Sequence, residues 1–428
     1  VLLSIEKLIY GGDGLARIPS DGGRNKAVFV PFVVDGERIE ASITEEKPGF
    51  ARAAVQQISE ASLARVEPPC PYFFRCGGCQ YQHFNYEHQL EVKAAIQLES
   101  LQRVAKLSRD EPPVVHASPP WNYRNRTRMK VKTDGGFAIG YYKFRSHELL
   151  AVEQCPISSP RINRALTTIW DLGREGAIRG ISEIEFFADA EDKRLLIELF
   201  AADPAGADVR RSADFLRERI PGVVSVWGFP RQRDDEAPPA EGRLLGGQDA
   251  LIYATKQAEY RVSGGSFFQT NRHLTDELVS IVCDGESGAL ALDLYAGVGL
   301  FSSVLAKNFE KMVAAEIAPS SADDLHANVP RNVKAVRATT EEYLSRNSPK
   351  QRPELVVVDP PRGGLGKRVT DALTKLMPPR LTYVSCDPTT LARDLHALLG
   401  AGYKLQELHL VDLFPQTFHM ESVVKLAR

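Results

Sequence analysis

Ala289-Leu290-Ala291-Leu292-Asp293-Leu294-Tyr295-Ala296-Gly297-Val298-Gly299 is an apolar run that breaks into a glycine turn, and it decides how the C-terminal part of this chain folds. A helix-like segment, Phe301 to Ala306, follows the turn. Further apolar runs at Met312 to Glu316, Leu355 to Asp359 and Leu381 to Ser385 are each separated by helical segments. From Ser263 onward this alternation predicts a doubly wound, Rossmann-like parallel sheet, with ligands gathered at the carboxyl ends of its strands. Tyr403 to Phe414 and Glu421 to Ala427 read as two more β runs joined by a loop.

The turn itself narrows the ligand. A dinucleotide site uses a third glycine in G-x-G-x-x-G, and here that position is Ser302. A ligand without a pyrophosphate relaxes the requirement, and S-adenosylmethionine is such a ligand. Glu316 ends the next strand, where an acid can hold ribose hydroxyls. A purely structural βα turn would have no use for an acid at that place.

Cys386 follows the run Leu381 to Ser385 and precedes Asp387-Pro388, so it sits at a strand end where a packing cysteine gains nothing. Asp359-Pro360-Pro361-Arg362 ends the preceding strand, and His419-Met420-Glu421 lies downstream. Taken singly, Cys386 could be a small core residue, Glu421 a solvated carboxylate and Asp359 a helix cap. Together at the strand ends of one sheet they describe carbon methylation. A pyrimidine C5 is not nucleophilic until a thiolate adds at C6, and the C5 proton must then be removed by a base. Cys386 is therefore the candidate nucleophile and Glu421 the candidate proton acceptor. The D-P-P loop carries no second cysteine, which favours uracil over cytosine.

Residues 1–65 hold short alternating runs between turn signals such as Gly11-Gly12-Asp13-Gly14, Asp21-Gly22-Gly23 and Asp35-Gly36-Glu37. Val28 to Val30, Arg38 to Ile43 and Ala53 to Val55 fit strands of a small OB-like barrel, either RNA-binding or merely packed. Val66-Glu67-Pro68-Pro69 is a stiff linker. Leu90, Ala94, Leu98, Leu101 and Ala105 keep helical spacing and predict a long amphipathic helix over 85–107. Residues 113–262 read as mostly β, with a hairpin at Glu183 to Phe187 and Leu195 to Phe200 and an exposed loop from Arg231 to Gly242. The three expected domains are 1–65, 66–262 and 263–428, the 85–107 helix packing on the last.

Of six cysteines, Cys70, Cys76 and Cys79 are clustered and Cys155 is the natural fourth of a set. Four thiolates suit zinc or an iron–sulfur cluster, and the spacing does not choose between them. Cys283 falls on an apolar helix face and reads as core. Arg124, Arg126, Arg128, Lys130 and Lys132 recur at every second position, which on a strand puts five cations on one face. No acid interrupts the row, so phosphates are the expected partner rather than plain solvent.

Composition is that of a globular protein, with 43% apolar and 25% charged residues and no apolar stretch long enough for a bilayer. A net charge of −2 neither announces nor excludes nucleic acid. Val1-Leu2-Leu3-Ser4-Ile5-Glu6 has no basic region and no cleavage site, so a cytoplasmic location without a secretory signal is expected. Without an initiating Met, the sequence is expected to begin inside the gene product.

Together these motifs resemble the bacterial RNA uracil-C5-methyltransferases, especially the iron–sulfur type acting on large-subunit ribosomal RNA. Gly11 to Arg17 with Val28 to Pro31 looks like the start of a TRAM domain. Cys70-Pro71-Tyr72 through Cys76-Gly77-Gly78-Cys79-Gln80-Tyr81-Gln82-His83 is similar to the family's cluster motif. Tyr123-Arg124-Asn125-Arg126, Ser266-Phe267-Phe268-Gln269-Thr270-Asn271, Val384-Ser385-Cys386-Asp387-Pro388 and Phe414-Pro415-Gln416-Thr417 with His419-Met420-Glu421 match its other segments. Leu300 and Asp387 depart from it, each standing where Asn is common. The resemblance implies a class I methyltransferase domain, a TRAM barrel and a central, mostly β domain holding a [4Fe-4S] cluster on Cys70, Cys76, Cys79 and Cys155. It further implies that Gln269, Tyr295, Glu316 and Asp359 line the S-adenosylmethionine and uracil site. The partner would be RNA, 23S rRNA first and tRNA as the alternative, with no membrane and a monomeric chain. A radical methylthiotransferase would need C-x3-C-x2-C, and the spacing here is x5, x2. A non-catalytic RNA-binding protein would have no use for Cys386 and Glu421.

Overall fold

The computed structural model describes residues 1–19, 25–109, 111–231, 241–347 and 352–428. The Asp21-Gly22-Gly23 turn and all but the ends of the Arg231 to Gly242 loop lie outside the described residues.

Six strands form the N-terminal sheet: β1 (Leu2–Ser4), β2 (Lys7–Leu8), β3 (Asp13–Ile18), β4 (Lys26–Pro31), β5 (Arg38–Glu46) and β6 (Phe50–Glu60), in the order β1-β5-β6-β4-β3-β2. Alternate residues of β4 and β5 point inward, so Val28, Val30, Ile39 and Ala41 meet Ala16, Ala51 and Ala53 in one core. Three register shifts between β5 and β6 bend this sheet around that core.

A helix, α1 (Tyr86–Ser100), extended by a π-helical turn at Leu101–Ala105, follows a compact loop region. Asn85 caps it by accepting from His88 N. The spacing of Leu90, Ala94 and Leu98 points to an apolar buried face, but those residues are only half-buried. The fully sheltered side chains are Gln89, Lys93 and Gln97, flanked by Val92 and Ile96.

Next come β7 (Val114–His116), β8 (Arg126–Lys132), β9 (Ala138–Tyr142), β10 (Leu149–Ala151), α2 (Pro160–Arg174), β11 (Ile181–Ala188), β12 (Leu195–Ala201), α3 (Ala207–Arg219), β13 (Val223–Pro230) and β14 (Arg243–Gly247). Seven of these strands form the central sheet, ordered β10-β9-β8-β11-β12-β13-β14. The expected hairpin is present as β11 and β12. The mostly β reading of this region misses α2 and α3. Ser159 capping α2 with Pro160 in its first turn, ahead of the buried Ile162, Leu166 and Ile169, is the signal that could have found the first of them.

The expected metal cluster is overturned. Among the described residues no group of three or more His, Cys, Asp or Glu side chains is placed to hold a metal ion. Cys70, Cys76, Cys79 and Cys155 do line one cavity of about 330 Å³, but as free thiols. Burial among Tyr72, Phe73, Val152 and Ile157 pushes the Cys76 thiol up to about 11 and raises Cys70 and Cys79 as well. A protonated thiol packs as a small apolar group, so sequence spacing recorded a shared pocket and not a ligand set.

The hairpin of β15 (Ala250–Ala254) and β16 (Glu259–Ser263) leads into α4 (Thr275–Cys283), where Cys283 is core. The predicted doubly wound part then follows: β17 (Gly288–Leu294), α5 (Ser302–Leu305), β18 (Phe309–Glu316), α6 (Pro319–Asn328), β19 (Val333–Arg337), α7 (Thr340–Asn347), β20 (Leu355–Val358), α8 (Gly366–Leu376), β21 (Arg380–Ser385), α9 (Pro388–Gly400), β22 (Lys404–Val411) and β23 (Glu421–Ala427). Its sheet is ordered β19-β18-β17-β20-β21-β23-β22-β7. The strands from β19 to β21 are parallel, while β23 runs antiparallel to both β21 and β22. The outermost strand, β7, is borrowed from far upstream and pairs in parallel with β22.

Candidate active site

The glycine turn after β17 bends through left-handed conformations at Tyr295, Gly297 and Gly299. A side chain at Gly299 would press on Leu325 of α6 at 2.9 Å, whereas beside Gly297 there is open space. The closure at Gly299 and the gap at Gly297 together make a cradle that a ligand can approach along the backbone. Glu316, ending β18, fixes its rim. One carboxylate oxygen accepts from Gly297 N at 2.9 Å, and the other accepts from Ile317 N and Ala318 N, both at 2.7 Å.

Asp293 is buried beneath this turn, with Oδ2 accepting from Ser302 Oγ at 2.5 Å and Oδ1 without a partner among the described residues. Burial, with the charge of Glu316 adding to it, outweighs that hydrogen bond and pushes Asp293 up to about 7. Asp359, just past β20, is pushed up to about 7 by burial and then by Asp293. Three acids thus converge at adjacent strand ends, one with an orphaned buried oxygen, which suits a cationic ligand such as the S-adenosylmethionine sulfonium and ammonium groups. Gln269 is nearly buried on a segment clamped from below. Asp324 of α6 accepts from Ser263 N, Ser263 Oγ and Ser266 Oγ at 2.6 to 2.8 Å, and Arg126 donates to the Ser266 carbonyl.

The thiol and the distal carboxylate meet through sheet register. Ser385 of β21 lies opposite Ser422 of β23, and the two strands are antiparallel. Cys386 therefore leaves the sheet where Glu421 enters it. Burial pushes the Cys386 thiol up to about 12, with Glu421 the largest electrostatic contributor, then Asp359, while Arg362 opposes them. Burial and the nearby Asp359 raise Glu421 well above the usual carboxylate range. Asp387 anchors the thiol's loop by capping α9, accepting from Thr389 N and Thr390 N at 2.9 Å. His419 is held neutral, its pKa lowered to about 3 by burial and by Arg362 and Arg124.

Two contributors to this site were not foreseen. Arg362 follows the two prolines and is tied to α9 by the bond from Thr390 Oγ1 to its carbonyl, at 3.0 Å. Tyr10 comes from the N-terminal sheet, its hydroxyl 3.4 Å from the Cys386 carbonyl and its ring edge-on to Phe418 at 5.3 Å. Only the unusual Tyr10-Gly11-Gly12 turn, with both glycines at positive φ, marked it locally.

Of the five regularly spaced cations, three are met by acids from β11 and β12. Arg126 is buried against Glu185 and Glu198, Arg128 pairs with Glu185, and Lys130 pairs with Glu183 at 2.7 Å. Arg126, Arg128 and Lys130 also lie over the rings of Phe187, Phe200 and Tyr142. Arg124 lines the cysteine cavity, and Lys132 is exposed at the strand end.

With this geometry in place, comparison with known proteins decides the family. A model described as tRNA (Uracil-5-)-methyltransferase matches residues 85–428. The chain belongs to the tRNA (uracil-5-)-methyltransferase family. A TRAM domain model matches residues 1–55. An uncharacterized RNA methyltransferase of Aquifex aeolicus is 34% identical over 99% of this chain and 97% of its own length. Another from Thermosynechococcus vestitus is 32% identical over 99% and 97%. The Pyrococcus abyssi tRNA (uracil-54, C5)-methyltransferase, solved with S-adenosyl-L-homocysteine, shares the fold with a TM-score of 0.75 at 22% identity, each chain covered in full. The protein is thus an S-adenosylmethionine-dependent RNA uracil-C5-methyltransferase with an N-terminal TRAM domain. The family resemblance stands, and its iron–sulfur subtype is corrected by the four thiols described above. No helix among the described residues is long and apolar enough to cross a membrane.

Proposed function

We propose that this enzyme methylates C5 of a uridine in transfer RNA, with Cys386 as the nucleophile and Glu421 as the base. The observation carrying the mechanism is the register of Ser385 against Ser422, which delivers a thiol and a carboxylate to one sheet edge beside the glycine turn. Transfer RNA is preferred over ribosomal RNA because the family description and the full-length structural relative both concern tRNA.

S-adenosylmethionine, when bound, supplies an electrophilic methyl group. Gln269, Tyr295, Glu316 and Asp359 would hold it beside a flipped-out uracil. Burial holds the Cys386 thiol protonated, so it gives its proton to solvent as sulfur attacks C6, and the C5–C6 electrons shift toward the C4 carbonyl oxygen to form an enolate. C5 takes the methyl group. Glu421 then removes the C5 proton, the C5–C6 double bond re-forms and the C6–S bond breaks, releasing the thiolate. Six free cysteines fit a cytoplasmic, reducing location, and a single chain carries the whole site.

The test is a denaturing gel with methyl-labelled donor and separate tRNA and rRNA transcripts. Cys386→Ala should give neither methylation nor a protein–RNA adduct. Glu421→Gln should accumulate a methylated adduct. Turnover by Cys386→Ala would end the covalent mechanism, and labelling of rRNA alone would end the tRNA assignment.

A further inference from the structure

The buried face of α1 is polar at Gln89, Lys93 and Gln97, which at i, i+4 and i+8 form one stripe along the helix. All three are fully buried, and all three bond to the single stretch that runs from β22 to the start of β23. Gln89 makes a reciprocal pair with Gln416: its Nε2 donates to Gln416 Oε1 at 3.1 Å and its Oε1 accepts from Gln416 N at 3.0 Å. Lys93 Nζ donates to Asp412 Oδ1 at 2.6 Å and to the Phe414 carbonyl at 3.0 Å. Gln97 Nε2 donates to Ser422 Oγ at 2.8 Å and to the His409 carbonyl at 3.2 Å, leaving its own Oε1 without a partner among the described residues.

Sticking a helix onto a sheet needs only apolar contact, which is non-directional and tolerant of sliding. Burying an ammonium and two amides is costly unless each is matched by oriented partners. Apart from the Tyr81 and Phe84 carbonyls, which also accept from Gln89 Nε2, the matching here falls on the stretch from His409 to Ser422. That stretch also holds Gln416 at φ 69°, a conformation unfavourable for a residue with a side chain, and Gln416 is gripped on both sides of its peptide. Gln80 N and Tyr81 N donate to its carbonyl, and Gln89 takes its N–H. Glu421 lies between the Gln416 clamp and the Ser422 contact.

We propose that the Gln89-Lys93-Gln97 stripe is a positioning device that sets the carboxylate of Glu421 for removal of the C5 proton. This rests on the reading of Glu421 as the base. Lys93 and the two glutamines are fully buried between the helix and the sheet, and they act by fixing the chain on either side of the base. A looser loop would leave attack by Cys386 and methyl transfer intact, because the thiol's loop is anchored separately through Asp387. The slowed step would be proton removal, and with it release of the adduct.

The experiment is single-turnover methylation of whichever transcript the parent enzyme modifies, following methylated adduct and free product separately. Gln97→Leu should keep adduct formation within about 3-fold of the parent and slow adduct release at least 10-fold. Ser422→Ala removes the same hydrogen bond from the opposite side without touching the helix, and should slow release in the same direction. Release at the parent rate in a folded Gln97→Leu, or in Ser422→Ala where Gln97→Leu does not fold, overturns the proposal. Glu421→Gln run alongside separates the two levels. If it traps no adduct, the base assignment itself fails and the positioning role falls with it. If it traps adduct while Gln97→Leu and Ser422→Ala release normally, only the positioning role fails.

Discussion

Glu316 reaches across two strand ends to accept the Gly297 N–H at 2.9 Å, so the acid of β18 shapes the glycine turn of β17 as well as facing the cradle. The carboxylate already holds three backbone N–H groups, and it does so as an acceptor on both oxygens. Glu316→Gln would turn an N–H toward one of those donors. Hydrogen bonds to charged groups contribute about 1.5–3 kcal/mol, so donor affinity should fall roughly 10- to 100-fold. Calorimetric titration with S-adenosylmethionine checks this, with RNA affinity as the control that should not move. An unchanged donor Kd would remove Glu316 from the donor site.

Asp293 makes a prediction about stability and pH. A free aspartate loses its proton near 3.9, while this one holds it to about 7 because it is buried. Between those values the folded protein binds the extra proton, so stability declines as pH rises from about 4 to about 7. Asp293→Asn removes that decline. Its denaturation midpoint should exceed the parent's at pH 8 and approach it at pH 5, at about 1.4 kcal/mol per pKa unit as an upper bound. A parent protein whose stability rises over that range would contradict the buried, protonated carboxyl.

Arg126 and Lys132 should separate two roles that sequence spacing merged. Arg126→Met leaves Glu198 and Glu185 short of a buried partner and frees the Ser266 carbonyl. Loss of one member of a buried pair costs about 3–5 kcal/mol, and donor affinity should drop with it because the Gln269 segment loosens. The salt dependence of RNA binding should stay as in the parent. Lys132→Ala should do the opposite: stability is kept, and the salt slope falls by about one unit if Lys132 meets a phosphate. A flattened slope in Arg126→Met would restore its direct RNA contact.

Adduct release should depend on pH through Glu421. Its carboxyl is held well above the ordinary range by burial and by Asp359, and only the ionised form can take the C5 proton. Release should therefore accelerate as pH rises above the ordinary carboxylate range. Asp359→Asn removes the neighbouring charge and should shift that profile to lower pH. A pH-independent release rate with the parent enzyme would point to a different base.

The parallel sheet, its glycine turn and the strand-end residues were legible because each is a local pattern of apolar runs and turn chemistry. What escaped was set by partners far away in sequence. The five cations from Arg124 to Lys132 show a period of two, and no local rule reveals that Glu183 and Glu185 of β11 stand opposite Lys130 and Arg128 of β8. Gln89, Lys93 and Gln97 fall on a helical stripe that periodicity assigns to solvent. Their partners on the β22–β23 stretch lie 312 to 327 positions later. The cysteines erred the other way, since their spacing recorded proximity and packing decided protonation.

Because β7 covers the outer edge of β22, the C-terminal sheet is not a module that can be cut away at Ser263. A fragment from there to Arg428 would expose the backbone of β22 as an open template for strand addition, and would strand Asp412 without Lys93. Self-association through that edge is the expected fate of such a fragment. Fusions or chimaeras of the catalytic unit should therefore carry the chain from α1 onward, with the central sheet inherited as an insertion between β7 and β15.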